Sequence, residues 1–216
     1  MGEGTSPTVP ASTEAIYASS TQHDVQALVN DADYIGVSGT VCANVTPVTV
    51  AANVTTDQLL MSCTLAANDL NTTLRTLKIF AAGVYSTAAT STAQITLKAK
   101  LCTVSGCGSG TVISLLNIQS TALGSVTVTN NAWNITGEAT VQTAGASAAF
   151  ESHGFISIDL GSLTTAADSI FDDTNTATAG TISSTGGLFL QITGAYSAGS
   201  TSNSMTERQL VVELTN

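Results

Sequence analysis

From residue 45 onward, apolar and polar side chains alternate. Residues 45–51, 59–65, 74–85, 94–104 and 111–119 are runs rich in β-branched and apolar side chains, separated by Asn, Asp, Gly, Ser and Thr. The clearest is Ile95, Leu97, Ala99 and Leu101 against Thr96, Lys98 and Lys100, a spacing that predicts a strand with one buried and one solvated face. Further runs cover 132–143, with Trp133, Ile135, Gly137, Ala139 and Val141 on one face, then 148–160, 188–196 and 205–214. No helical period follows residue 45. The prediction is all-β, an antiparallel β-sandwich over residues 41–216. Ala82-Gly83-Val84-Tyr85 and Thr193-Gly194-Ala195-Tyr196 look alike, but their flanks do not align and no internal repeat is assigned.

Residues 1–40 have a different character. Pro7 and Pro10 stand among Gly, Ser, Thr and Ala, a mixture that buries little apolar surface and predicts an extended N-terminal arm, ordered by contact with neighbouring subunits. Within it, residues 23–29 predict one or two helical turns. No run approaches the length of a membrane span, and the start has neither a basic nor an apolar leader region. Met1-Gly2-Glu3-Gly4-Thr5-Ser6 fits a loose acylation pattern that a Gly/Ser/Thr-rich start meets by chance.

Composition sharpens this picture. Of 216 residues, 43% are hydrophobic, enough for one sizeable core, while only 9% are charged and the net charge is −10. Thirty-six Thr and 24 Ser must therefore supply most of the polar surface. Five basic residues, Arg75, Lys78, Lys98, Lys100 and Arg208, make no patch that could neutralise phosphates or anionic lipid, so neither nucleic acid nor membrane is an expected partner.

Candidate chemistry is sparse. Cys102 and Cys107 are spaced so that one bridge could close a hairpin tip, with buried free thiols as the alternative. A four-cysteine zinc site would want two close pairs, which Cys42 and Cys63 do not supply. His23 and His153 have no nucleophile pattern beside them, and Ser109, in Gly106-Cys107-Gly108-Ser109-Gly110, lacks the register of a nucleophile elbow. Asn30-Asp31-Ala32-Asp33 and Asp168 with Asp172-Asp173-Thr174-Asn175 miss the spacing of a calcium loop and read as solvated loop or capping carboxylates. Glu138 and Glu151 are the carboxylates to test for glycan hydrolysis. Trp133 reads as a core anchor. Sequons at Asn44, Asn53, Asn71 and Asn134 reflect the abundance of hydroxyl residues, and Gly186-Gly187 precedes a strand where a phosphate loop would precede a helix. No catalytic residue, metal or cofactor is expected.

Several of these runs also carry a family pattern. Its landmarks are residues 48–60 (VTVAANVTTDQLL) and 65–70 (LAANDL), then the strands 74–83 (LRTLKIFAAG) and 95–101 (ITLKAKL). Residues 133–138 (WNITGE) and 200–210 (STSNSMTERQL) complete it. Over about three quarters of its length the chain resembles the jelly-roll virion structural proteins of tailed bacteriophages, which occur as head decoration (cement) proteins and as tail, baseplate or fibre components. The resemblance implies a jelly-roll sandwich and a non-enzymatic capsid decoration protein on the outer surface of the particle. The major capsid protein and neighbouring copies of itself, in a homotrimer, are the implied partners. The alternative it leaves open is a tail-fibre or baseplate component, or a receptor-binding glycan-adhesion module, using loops such as 105–110 or 168–180. Residues 102–110 and the arm depart from the pattern.

Overall fold

In the computed structural model the alternating runs are strands. The structure describes residues 15–18, 25–29, 33–36, 39–50, 55–88, 93–108, 110–120, 122–123, 127–160, 169–177 and 182–215, with side chains described from residue 39 on, outside 169–177. Among the described residues three short strands come first: β1 (Ala15–Ala18), β2 (Val25–Val29) and β3 (Asp33–Gly36), which pair antiparallel into a small sheet of their own. Residues 25–29, expected to turn helically, are thus a strand: Val25, Leu28 and Val29 bring β-formers into a stretch that closes its hydrogen bonds on both sides. His23 lies outside the described residues.

Among the described residues eleven strands follow in chain order: β4 (Gly39–Asn44), β5 (Val48–Val50), β6 (Gln58–Leu65), β7 (Thr76–Thr87), β8 (Ile95–Cys102) and β9 (Val112–Gln119). Then come β10 (Val128–Thr143), β11 (Ala149–Ile158), β12 (Ser169–Ala177), β13 (Leu188–Tyr196) and β14 (Ser204–Thr215). Their order is β12-β11-β10-β7-β14-β4 in the larger sheet, with β5 also on β14, and β6-β13-β8-β9 in the smaller. Taking β4, β6, β7, β8, β9, β10, β13 and β14 as first to eighth, the larger sheet runs first-eighth-third-sixth. The smaller runs second-seventh-fourth-fifth. That is the strand order of a jelly roll: the antiparallel sandwich follows from the alternation, and the jelly-roll order is what the resemblance implied. Strands β11 and β12 widen the larger sheet beyond β10.

Two boundaries differ from the sequence reading. Gly39 and Thr40 already pair with β14, so the sandwich begins inside the stretch assigned to the arm; Pro47, which has no N–H to give a ladder, then splits this first strand into β4 and β5. Residues 169–177, expected as an exposed loop, are β12, paired along β11. Asp172 and Asp173 concealed it because acidic residues are depleted in strands, yet β12 ends the sheet order among the described residues, and edge strands are where charged residues are found.

One continuous core fills the space between the sheets. Ile95, Leu97, Ala99 and Leu101 are fully buried, and so is Trp133, whose Nε1 donates to the Val84 carbonyl at 3.2 Å. Tyr85 donates to Asp159 O at 2.7 Å and Tyr196 to Ser204 O at 2.6 Å, so each buried phenol is partnered at its tip. Burial, and secondarily the Asp159 charge, pushes the Tyr85 hydroxyl up to about 12. Cys42 on β4 and Cys63 on β6 are disulfide-bonded with Cα atoms 6.0 Å apart, tying the first strand of one sheet to that of the other. Among the described residues no helix is long and apolar enough to cross a membrane.

Candidate functional site

The register of the larger sheet determines which side chains share its outer face. On β10, Thr136 stands opposite Phe80 of β7 on one side and Phe155 of β11 on the other; Val211 of β14 continues the row beyond Phe80. Phe80 and Phe155 are 39% and 37% exposed, on a sheet whose inward positions are closed. The next row reads Glu213, Lys78, Glu138 and His153, one from each of the same four strands. A third row holds Thr76 and Thr140, whose hydroxyls share a hydrogen bond of 2.8 Å, and Glu151, which accepts from Gln142 Nε2 at 3.0 Å.

A cavity of about 270 Å³ opens on this face between β14, β7 and β10. Its walls are Phe80, Val211, Thr136, Lys78, Glu138 and Glu213, and the backbone at Ile79 and Gly137 forms its floor. Gly137 and its cross-strand partner Gly154 are needed here for packing: a β-carbon on either would run into Leu116 of β9 on the inner side. The two glycines let the smaller sheet approach from below while the outer face stays open. The face can therefore offer two aromatic surfaces, two carboxylates either side of an ammonium group, and a hydroxyl.

The sequence candidates fall in several places. Glu138, Glu151 and His153 come together on this outer face, Glu138 directly opposite His153. Cys102 and Cys107 are disulfide-bonded across a short turn, Ser105–Cys107, with Cα atoms 5.4 Å apart and Gly106 at φ +82°, a conformation that favours glycine. Thr111 N donates to Thr103 Oγ1 at 3.0 Å at the base of this tip. Ser109, Asn30, Asp31, Asp168 and Asn53 lie outside the described residues, and Asp33, Asp172, Asp173 and Asn175 sit on strands whose side chains are not described. Among the described residues no group of three or more His, Cys, Asp or Glu is placed to hold a metal.

Two further polar features were not legible in the sequence. On the smaller sheet's outer face, Asp57 accepts from both Lys98 (3.0 Å) and Lys100 (2.5 Å). Partial burial raises the Asp57 carboxyl, but the hydrogen bonds and charges of Lys100 and Lys98 outweigh it and hold it below the usual carboxylate range. Glu207, on β14, is fully buried, both oxygens lack a hydrogen-bond partner among the described residues, and burial pushes it up to about 9. Only pairing in space produces either feature: Asp57 lies 41 residues from Lys98, and the strand bulge after Glu207 keeps its side chain inward.

The sequence matches no family model, and no curated protein matches it. Among solved structures, the chain is similar to the CBM2 module of the evolved Dit protein of Lactobacillus casei BL23 phage J-1. Identity is 9% and the TM-score 0.32, over 82% of this chain and 96% of that one.

Proposed function

We propose that this chain is a non-enzymatic structural component of a tailed-phage particle, a decoration protein bound to the outer surface of the head. The observation that carries the reading is the eight-strand jelly-roll order together with the places where the family landmarks fall. Residues 76–83 and 95–101 lie on the third and fourth strands, 133–138 on the sixth and 205–210 on the eighth. Jelly rolls are a recurrent solution for viral shell and lectin domains. A surface dominated by hydroxyls, with single exposed apolar side chains such as Val45 (70%) and Leu74 (73%), suits adhesion by shape and many weak contacts. The major capsid protein and neighbouring copies in a homotrimer are the partners in this reading, and the N-terminal segment before β4 is proposed as the part that contacts them. No cofactor is required.

Copy number tests it. Quantitative gels of purified particles are expected to give on the order of hundreds of copies, as repeated shell positions require, and removal of residues 2–35 is expected to abolish binding to particles. About a dozen copies would instead mean a tail or baseplate component. That second reading is favoured by one observation, the exposed pair Phe80 and Phe155 on one sheet face, with a cavity beside Phe80.

A further inference from the structure

We infer that the outer face of the larger sheet is a binding site for an uncharged saccharide, with Phe80 and Phe155 as stacking surfaces and Glu138, Glu213 and Lys78 as hydrogen-bonding groups. The inference concerns what the isolated protein binds and holds for head or tail placement alike.

Geometry is the first argument. Phe80 and Phe155 flank Thr136 from the two strands adjoining β10, so their Cα atoms are two strand spacings apart, about 9.5 Å. Both rings are anchored on long, doubly paired strands and not on loops, so they lose little freedom when a ligand covers them. A chain of sugar rings crossing the strands would lay alternate C–H faces on the two rings. The cavity beside Phe80, about 270 Å³, is small next to pockets of about 300–1,000 Å³ that enclose drug-sized ligands, and suits one unit of a longer ligand lying across the face.

Charge selects among occupants. Lys78 stands in register between Glu213 and Glu138, so a polyanion would meet two carboxylates for one ammonium, an unfavourable balance. An apolar helix or strand laid here would bury those carboxylates without partners, which costs far more than the two rings return. A neutral polyol answers each group. Its hydroxyls donate to Glu138 and Glu213 and accept from Lys78 and Thr136, while its C–H faces cover the rings.

The test is titration of the full chain with a panel of neutral hexasaccharides (α-glucan, β-glucan, mannan, galactan and chitin type), followed by NMR or calorimetry. At least one is expected to bind with a Kd below about 1 mM. Phe80→Ala and Phe155→Ala should each weaken it about tenfold or more, Phe155→Tyr should retain it, and Val112→Ala, on the smaller sheet, should leave it unchanged. Glu138→Gln, which keeps the shape but removes the charge and turns one acceptor oxygen into an NH2 donor, should also weaken it, so a folding defect in a Phe variant leaves a second readout. No binding by any member at about 10 mM overturns the inference. So does binding indifferent to both Phe→Ala variants, or a loss of self-association in Phe80→Ala without any saccharide effect, which would assign the face to a second copy of the chain.

Discussion

Leu116 of the smaller sheet rests against Gly137 of the larger one, its methyl carbon occupying the place that a β-carbon on Gly137 would need. Gly154, beside Gly137 in the ladder, admits the same methyl group, which would lie 2.9 Å from its β-carbon. Close approach of the sheets therefore depends on two missing side chains directly beneath the proposed saccharide face.

Gly137→Ala should accordingly destabilise the fold by about 2 kcal/mol, lowering Tm by several degrees in a chain of this size. Gly186→Ala, where an added β-carbon meets nothing within 4 Å among the described residues, should be near neutral. Combining Gly137→Ala with Leu116→Ala should cost less than the sum of the two single changes, because each relieves the other. Thermal melts of the four variants check this.

The two disulfides differ in what they constrain. Cys42–Cys63 spans 21 residues and joins the sheets, whereas Cys102–Cys107 spans 5 and closes a single tip. Loop-closure reasoning gives about 3 kcal/mol for the first and about 2 for the second. In guanidinium titrations, replacing both Cys42 and Cys63 by Ser should lower the midpoint more than the same change at Cys102 and Cys107.

Glu207 makes stability depend on pH. Its cross-strand neighbours Val48 and Gly83 carry no charge, and burial holds the folded carboxyl near 9 while the unfolded chain ionises near the usual glutamate value. The unfolded state then binds fewer protons, so stability falls as pH rises from about 4.5 to about 9, by about 3 kcal/mol at pH 7. Glu207→Gln should remove most of that slope and stabilise the protein above pH 5, as read from denaturant midpoints between pH 4 and 9.

Asp57 gives the opposite sign. Its carboxyl is held low by Lys100 and Lys98, so the stabilisation is present above the ordinary Asp range and is lost as pH falls through it. All three side chains are between 19% and 28% exposed, and screening limits the effect to about 1 kcal/mol. Asp57→Asn should show that loss at low salt, a smaller one at high salt, and faster amide exchange at the start of β6.

Much of the fold was legible in the sequence because a strand with one buried face must alternate, and Ile95 to Leu101 does so without exception. Strands β5 to β11, β13 and β14 were placed for that reason. β12 was not, since Asp172 and Asp173 resemble a loop, and neither was β4, whose positions are mostly half-buried at a sheet edge. Of the candidate site, Glu138, Glu151 and His153 were noticed singly; nothing in the sequence joined them to Phe80, Phe155 or Glu213.

Alternation and composition alone determined that this chain would form strands, bury an aliphatic core and present a hydroxyl surface, since those follow from side-chain period and solvation. The tertiary structure decided the partners. Strand order brought Phe80, Glu138, Phe155 and Glu213 onto one face, joined Cys42 to Cys63 between the sheets, and enclosed Glu207. Each of these depends on pairings between residues far apart in the chain, where backbone hydrogen bonding fixes the register and the local sequence has no means to express it.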